Sequence, residues 1–202
     1  MAAADARHAG RRLVLVSGAP GAGKSTLAGP LAVELGFALL TKDRIKETLH
    51  DSLGPGPAGA DLAGAGLGWS RKLGAAAMEL LWTVAGQAAA VVLEANFRPR
   101  SEYERGRLAG LLTDGGRLVE VYCCCPPELA MARFAARATA SHPVHVMSSV
   151  SAAFLAEFDQ PIGMGDLVEV DTTTPVDIPA LARQIQSHLA VAPTTSHSPP
   201  AP

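Results

Sequence analysis

Apolar positions along this 202-residue chain follow two rhythms that take turns. Short runs dominated by Leu and Val, from Leu13 to Ser17, Phe37 to Leu40, Val91 to Glu94, Leu118 to Cys124 and Leu167 to Val170, have the length and composition of strands. Each is followed by a stretch in which apolar residues recur every three or four positions, the period of one helix face. Ile45, Leu49 and Leu53 make one such stripe, and Val150, Phe154 and Phe158 another. Trp69, Leu73, Ala76, Leu80 and Val84 make a longer one. The last comprises Ile178, Leu181, Ala182, Ile185 and Leu189, opened by Asp177 as N-cap with Pro179 in the first turn. Ser101 followed by Glu104 has the spacing of a capping box and starts a further helix. Strand and helix alternating in this way predict an α/β domain built on a parallel sheet.

The punctuation sets the boundaries. From Gly54 to Gly68 the chain is mostly Gly, Pro and Ala, which predicts a long loop. Residues 1–10 and 191–202 lack an apolar period and read as tails, leaving 11–190 as one domain.

Composition narrows the function. Hydrophobic residues are 48% and charged residues 18%, the balance of a globular chain, and aromatics are only 4%. A net charge of −2 and a pI near 6.3 argue against a protein that coats nucleic acid or an anionic membrane, so a phosphate site has to be local. No stretch carries the roughly 18 apolar residues of a membrane helix, and Met1 to Arg12 lacks the apolar core of a secretion signal. The expected compartment is the cytoplasm. Cys123, Cys124 and Cys125 are consecutive on a strand, so their side chains diverge, and they read as reduced packing residues.

Chemistry enters after the first strand. Gly18-Ala19-Pro20-Gly21-Ala22-Gly23-Lys24-Ser25-Thr26 satisfies G-x-x-x-x-G-K-[ST], with a strand before it and a helical pattern after it. The three glycines let the backbone curl so that consecutive N–H groups point inward, and the helix opening near Lys24 adds its positive end. Lys24 then serves the β- and γ-phosphates of a nucleotide and the Ser25 hydroxyl ligates Mg²⁺. Pro30 falls inside that helix, where it removes a hydrogen bond to the Thr26 carbonyl. The glycines of this loop are spaced G-x-x-G-x-G and not as the dinucleotide fingerprint G-x-G-x-x-G, and Lys24 fills the place that such a loop leaves empty. A guanine reader is absent, since Thr41-Lys42-Asp43 is followed by Arg44 and not by aspartate. ATP is the expected nucleotide.

The loop from Gly18 to Thr26, taken with Leu39-Leu40-Thr41-Lys42-Asp43-Arg44-Ile45-Lys46, resembles the small P-loop kinases of the AAA_33 group, which include zeta-toxin-like, chloramphenicol-phosphotransferase-like and polynucleotide-kinase-like enzymes. The resemblance implies that Asp43 takes the proton of an acceptor hydroxyl and that Lys46 helps to hold acceptor or phosphate. An aspartate opening a helix is also favoured by the helix dipole alone. Glu94, ending the third strand, stands where the group's metal-binding acid stands, usually an Asp; it either holds Mg²⁺, directly or through water, or is a solvated strand-end acid. Asn96 and Arg98 occupy the acceptor-contact positions. Arg133 and Arg137 are spaced i and i+4 after Pro126-Pro127-Glu128 and match lid arginines that fold over the γ-phosphate, within a lid of about 133–148. His142 and His145 fall in that lid as substrate contacts or solvated residues; no third metal ligand accompanies them in the sequence.

The expectation is therefore a P-loop NTPase fold, a five-stranded parallel sheet with helices on both faces and a small lid. It would transfer the γ-phosphate of Mg-ATP to a hydroxyl of a small molecule such as an antibiotic, a sugar or a nucleoside. Nucleic acid is disfavoured as a partner. A regulatory ATPase switch and a zeta-type toxin kinase are the alternatives, and neither the acceptor nor the oligomeric state is legible.

Overall fold

The computed structural model describes residues 10–56, 65–113 and 115–190. The two tails, except Gly10, and most of the Gly/Pro/Ala loop lie outside the described residues. Five strands, β1 (Arg12–Ser17), β2 (Ala38–Thr41), β3 (Ala90–Glu94), β4 (Arg117–Cys124) and β5 (Asp166–Asp171), form one sheet in the order β2-β3-β1-β4-β5. Every pairing is parallel. The chain leaves β1 toward one edge and later returns to the other, so a crevice opens outside the carboxyl ends of the central strands.

Both faces of the sheet are covered, as the unbroken strand runs require. Along β1 the pleat sends Val14 and Val16 to one side, where they join Leu27 and Leu31 of α1 (Lys24–Leu35) and Leu181 and Ile185 of α7 (Ile178–Ala190). Leu13 and Leu15 go to the other side, to Leu81 and Trp82 of α3 (Ala65–Ala85) and Leu108 of α4 (Glu102–Leu111). Glu120 on β4 departs from this apolar pattern as a buried carboxylate. It accepts the Ser17 hydroxyl at 2.6 Å and the Ile162 and Gly163 amides at 2.9 Å each, tying the approach to β5 onto the sheet.

Three expectations need correction. α3 begins at Ala65, before the loop was expected to end, and its buried face runs Leu73, Ala77, Leu81 and Ala85. Leu80 and Val84 of the expected stripe are exposed. Apolar residues cover more than half of this helix, so counting every third or fourth position admits both stripes; the sheet takes the one opposite the exposed Arg71, Lys72, Glu79 and Thr83. The Ile45, Leu49, Leu53 stripe of α2 (Lys42–Leu53) reaches the core only at Ile45, which packs partly buried against it; Ile45 and Leu49 flank a groove of about 410 Å³ beside the edge strand β2, and Leu53 is exposed. Val150, Phe154 and Phe158 do not share one long helix, because α6 covers only Ala152–Leu155 and a 3-10 turn follows.

The Ser101 cap forms in half. Its hydroxyl accepts the Glu104 amide at 3.3 Å, but the Glu104 carboxylate reaches past Ser101 to the Arg98 amide at 2.7 Å. Asp177 caps α7 through the Ala180 amide at 2.9 Å. The three cysteines are free thiols, and among the described residues no helix is long and apolar enough to cross a membrane.

Candidate functional site

The site begins where β1 stops. Gly18, Gly21 and Gly23 all have positive φ, at 128°, 84° and 87°, so a left-handed backbone is needed at each. Space is short as well: a Cβ on Gly21 would lie 2.1 Å from the Ala130 carbonyl oxygen of α5 (Pro127–Ala138). The loop is thus wedged against α5, and α1 opens directly from it at Lys24. The Lys24 ammonium folds back to donate to the Ala19 carbonyl at 2.8 Å. It is only 5% exposed, and burial lowers its pKa although Glu94 and Asp43 favour its charge.

Parallel register brings the acids to this lysine. Glu94 pairs with Val16 of β1 on one side and with Thr41 of β2 on the other, so the ends of β2 and β3 meet beside the phosphate loop. The Ser25 hydroxyl donates to Glu94 Oε1 at 3.2 Å, and burial raises the Glu94 pKa against the pull of Lys24. Two adjacent ligands of an octahedral Mg²⁺ stand about 3.0 Å apart when each is about 2.1 Å from the ion. A hydroxyl and a carboxylate at 3.2 Å fit that cation with little movement. Asp43 lies in the first turn of α2 with its side chain half exposed, paired with Lys42 at 3.2 Å. Burial works against its charge, but Lys42, His145 and Lys24 outweigh it and hold the carboxyl below its ordinary range.

A cavity of about 500 Å³ opens on the other side of the loop, lined by Gly21, Thr26, Pro30, Arg133, Arg137 and the segment from Thr172 to Ile178. Thr172 is the hinge between loop and sheet, its hydroxyl within 2.8 Å of the Ala22 carbonyl and 3.0 Å of the Cys124 carbonyl. Arg133 donates to the Thr172 carbonyl at 3.0 Å. Arg137 acts electrostatically on both Lys24 and Glu94. Pro30, which had no role in the sequence, forms part of this wall without interrupting α1. The Thr172 to Ile178 segment carries no motif, and sequence reasoning missed it.

One turn after Asp43 on α2, Lys46 is 7% exposed and donates to the Ser70 hydroxyl at 2.7 Å and to the Val144 carbonyl at 3.3 Å. Ser70 donates to the same carbonyl at 2.7 Å. Burial, and then Lys42, lower the Lys46 pKa to about 8. Asn96 is half-buried between the anchored Ala95 and Phe97. Arg98 is drawn outward to Glu157 at 3.4 Å, although Glu104 fixes its amide. Lys24, Ser25, Glu94 and Asp43 are therefore one group, Arg133 and Arg137 line the adjoining cavity, and Lys46 and Arg98 are held by other partners.

The histidines of the 142–145 segment are not solitary. His142 Nε2 lies 2.9 Å from Asp51 and His145 Nε2 3.1 Å from Glu47, both on α2. These partners stand more than 90 residues away in sequence, so no spacing rule could have paired them.

The AAA_33 family model, described as an AAA domain, matches residues 13–161. No curated protein sequence matches the chain. Among solved structures, a proposed kinase from Chloroflexus aurantiacus j-10-fl is 29% identical with a TM-score of 0.73, over 88% of this chain and 98% of its own. The APS kinase of Mycobacterium tuberculosis is 18% identical over 89% of this chain and 97% of its own, with a TM-score of 0.49. A gluconokinase from Sinorhizobium meliloti 1021 is 17% identical over 91% and 93%, with a TM-score of 0.46. The last two are too distant to bear on the activity. The parallel sheet, its strand order and the glycine loop after β1 make this a P-loop NTPase fold, as expected from the sequence.

Proposed function

The chain belongs to the AAA_33 family, and from that premise we propose that it is a small-molecule kinase that moves the γ-phosphate of Mg-ATP to an acceptor hydroxyl. The observation that carries this reading is the register that sets Thr41, and with it Asp43 at the start of α2, beside Glu94 and the phosphate loop. The domain we assign spans 11–190, with 133–148 as its lid.

In this reading the loop amides and Lys24 hold the phosphates, and the 500 Å³ cavity between Arg133 and the Thr172 to Ile178 segment takes the base and ribose. Ser25 and Glu94 would hold Mg²⁺, which when bound neutralises charge on the phosphate oxygens. Asp43, ionised at neutral pH, accepts the proton of the acceptor hydroxyl as its oxygen bonds to the γ-phosphorus. The bond from that phosphorus to the bridging oxygen breaks and ADP leaves. Arg137, near enough to act on Lys24 and Glu94, adds positive charge where the transferred oxygens gather it. Lys46, Asn96 and Arg98 border the acceptor.

The test is ATP consumption by the full chain with Mg²⁺ across a panel of aminoglycosides, other antibiotics, sugars, nucleosides and simple alcohols. One compound should raise ADP production and appear as a phosphate ester. Nucleotide turnover that no hydroxyl compound stimulates, and that rises instead with a protein partner, would favour the switch.

A further inference from the structure

The acceptor side holds a group of side chains that the transfer reaction does not use. Three donor atoms, one each from His50, Asp51 and His142, lie within 4.8 Å of one another. His142 Nε2 is 2.9 Å from Asp51 Oδ1, and His50 Nδ1 is 3.7 Å from the same oxygen. The two imidazoles meet edge to face with centroids 5.1 Å apart. A separate observation points inward: His50 Nδ1 is buried and has no hydrogen-bond partner among the described residues. A buried polar atom left unmatched is costly, so its persistence calls for a reason.

Metal geometry supplies one. Arms of about 2.0–2.2 Å at tetrahedral angles set ligand atoms roughly 3.3–3.6 Å apart. The two separations above bracket that spacing. The geometry points to a binding site for one zinc-type divalent cation, held by His50 Nδ1, Asp51 Oδ1 and His142 Nε2, with the fourth position left to water. Asp51 has 67% of its side chain exposed, so that position faces solvent. Two imidazoles and a carboxylate suit zinc and its transition-metal neighbours, whereas Mg²⁺ prefers an all-oxygen shell of the kind Ser25 and Glu94 offer.

Ligation has a definite cost. His142 Nδ1 accepts the Val144 amide at 3.2 Å, which leaves the ring proton on Nε2, pointing at Asp51. A metal on Nε2 moves that proton to Nδ1 and gives up the contact with the amide; the ring releases no net proton. Val144 stays attached through its carbonyl, which accepts from Ser70 and Lys46. His145 is occupied with Glu47 at 3.1 Å and stays outside the ligand set. α2 carries Asp43 and Lys46 in its first turns and His50 and Asp51 near its end, so an ion here would pin residues 142–145 over the acceptor side.

The experiment uses the full chain without a histidine tag, stripped by a chelator and titrated with Zn²⁺ in saturating Mg²⁺, which occupies the phosphate-loop site. Calorimetry should report one zinc per chain, Co²⁺ should give the visible spectrum of a tetrahedral site, and Zn²⁺ should raise the Tm. His50→Gln, Asp51→Asn and His142→Gln should each weaken zinc binding by at least about 100-fold, above the 10–100-fold typical of losing an outer-shell partner. His188→Gln, which sits beside Asp166 at the far edge of the sheet, should bind as wild type does. Metal-free circular dichroism and Tm show whether each variant is folded, and His142→Gln, lying outside any helix, is the variant least prone to unfold. Wild type that binds no zinc, or zinc binding retained by a folded His142→Gln, overturns the site and leaves a hydrogen-bonded histidine clasp.

Discussion

Two lysines, Lys24 and Lys46, are buried in different ways. Lys24 is held by its own loop, through the Ala19 carbonyl five residues earlier. Lys46 is held by Ser70 of α3 and by Val144 of the segment after α5, which stand 24 and 98 residues away. Burial lowers both pKa values. Only the second lysine depends on three separate parts of the chain being in place. Under the function proposed above, Lys24 belongs to a nucleotide wall that a short stretch of sequence encodes almost by itself, and Lys46 to an acceptor wall assembled by tertiary contacts. A local device can be reused with many partners, whereas an assembled wall can be altered one contact at a time, which is where acceptor specificity has room to change.

The nucleotide wall breaks most sharply at Lys24. Lys24→Ala should lower phosphoryl transfer by at least about 10²-fold, because a preorganised charge beside the transferred phosphate is lost. Steady-state turnover with Mg-ATP checks it, and near-wild-type rates would remove the phosphate-loop assignment.

Asp43→Asn probes the seam between the walls. The amide keeps the shape and loses the basicity, so transfer to the true acceptor should fall about 10²-fold or more while Mg-ATP binding is unchanged. Calorimetry beside a transfer assay separates the two quantities; unaltered transfer would return Asp43 to helix capping.

The arginines divide the nucleotide wall itself. Arg137→Ala should lower kcat about 10-fold with little change in KM for ATP, since it acts where charge develops. Arg133→Ala, whose side chain is anchored at Thr172 on the cavity wall, should raise KM and spare kcat. The opposite pattern would exchange their roles.

The smallest effect concerns the acceptor wall. Lys46 sits at about 8 instead of 10.5, so between those values the unfolded chain binds a proton that the folded chain does not. Stability therefore rises with pH across that window, and below it the desolvation cost is fully present. Lys46→Met removes the cost and should stabilise the protein at pH 7 by on the order of 1 kcal/mol, after the lost contacts with Ser70 and Val144 are set against it. Urea midpoints at pH 7 and pH 10 test this, because the gain should shrink as pH rises. A gain that is the same at both values would mean Lys46 is not the group that titrates.

What the amino-acid sequence determined by itself was whatever is held by neighbours a few residues apart. The five strands fall within about a residue of their expected bounds, because each is a short, mostly apolar run that a polar residue, glycine or proline soon follows. The loop from Gly18 to Thr26 is legible because glycine spacing fixes the backbone curl and α1 starts directly after it. Tertiary structure alone decided the rest. It selected Leu73, Ala77 and Leu81 over Leu80 and Val84 as the inner face of α3, a choice that a helix apolar over more than half of its circumference leaves open until a sheet lies against one side. It brought Glu94 to Ser25 and Thr41 through parallel register, and Thr172 to the phosphate loop across 150 residues. It set His142 against Asp51 and Lys46 against Ser70, contacts whose partners share no spacing because the chain reaches them only by folding back over the ends of its own strands.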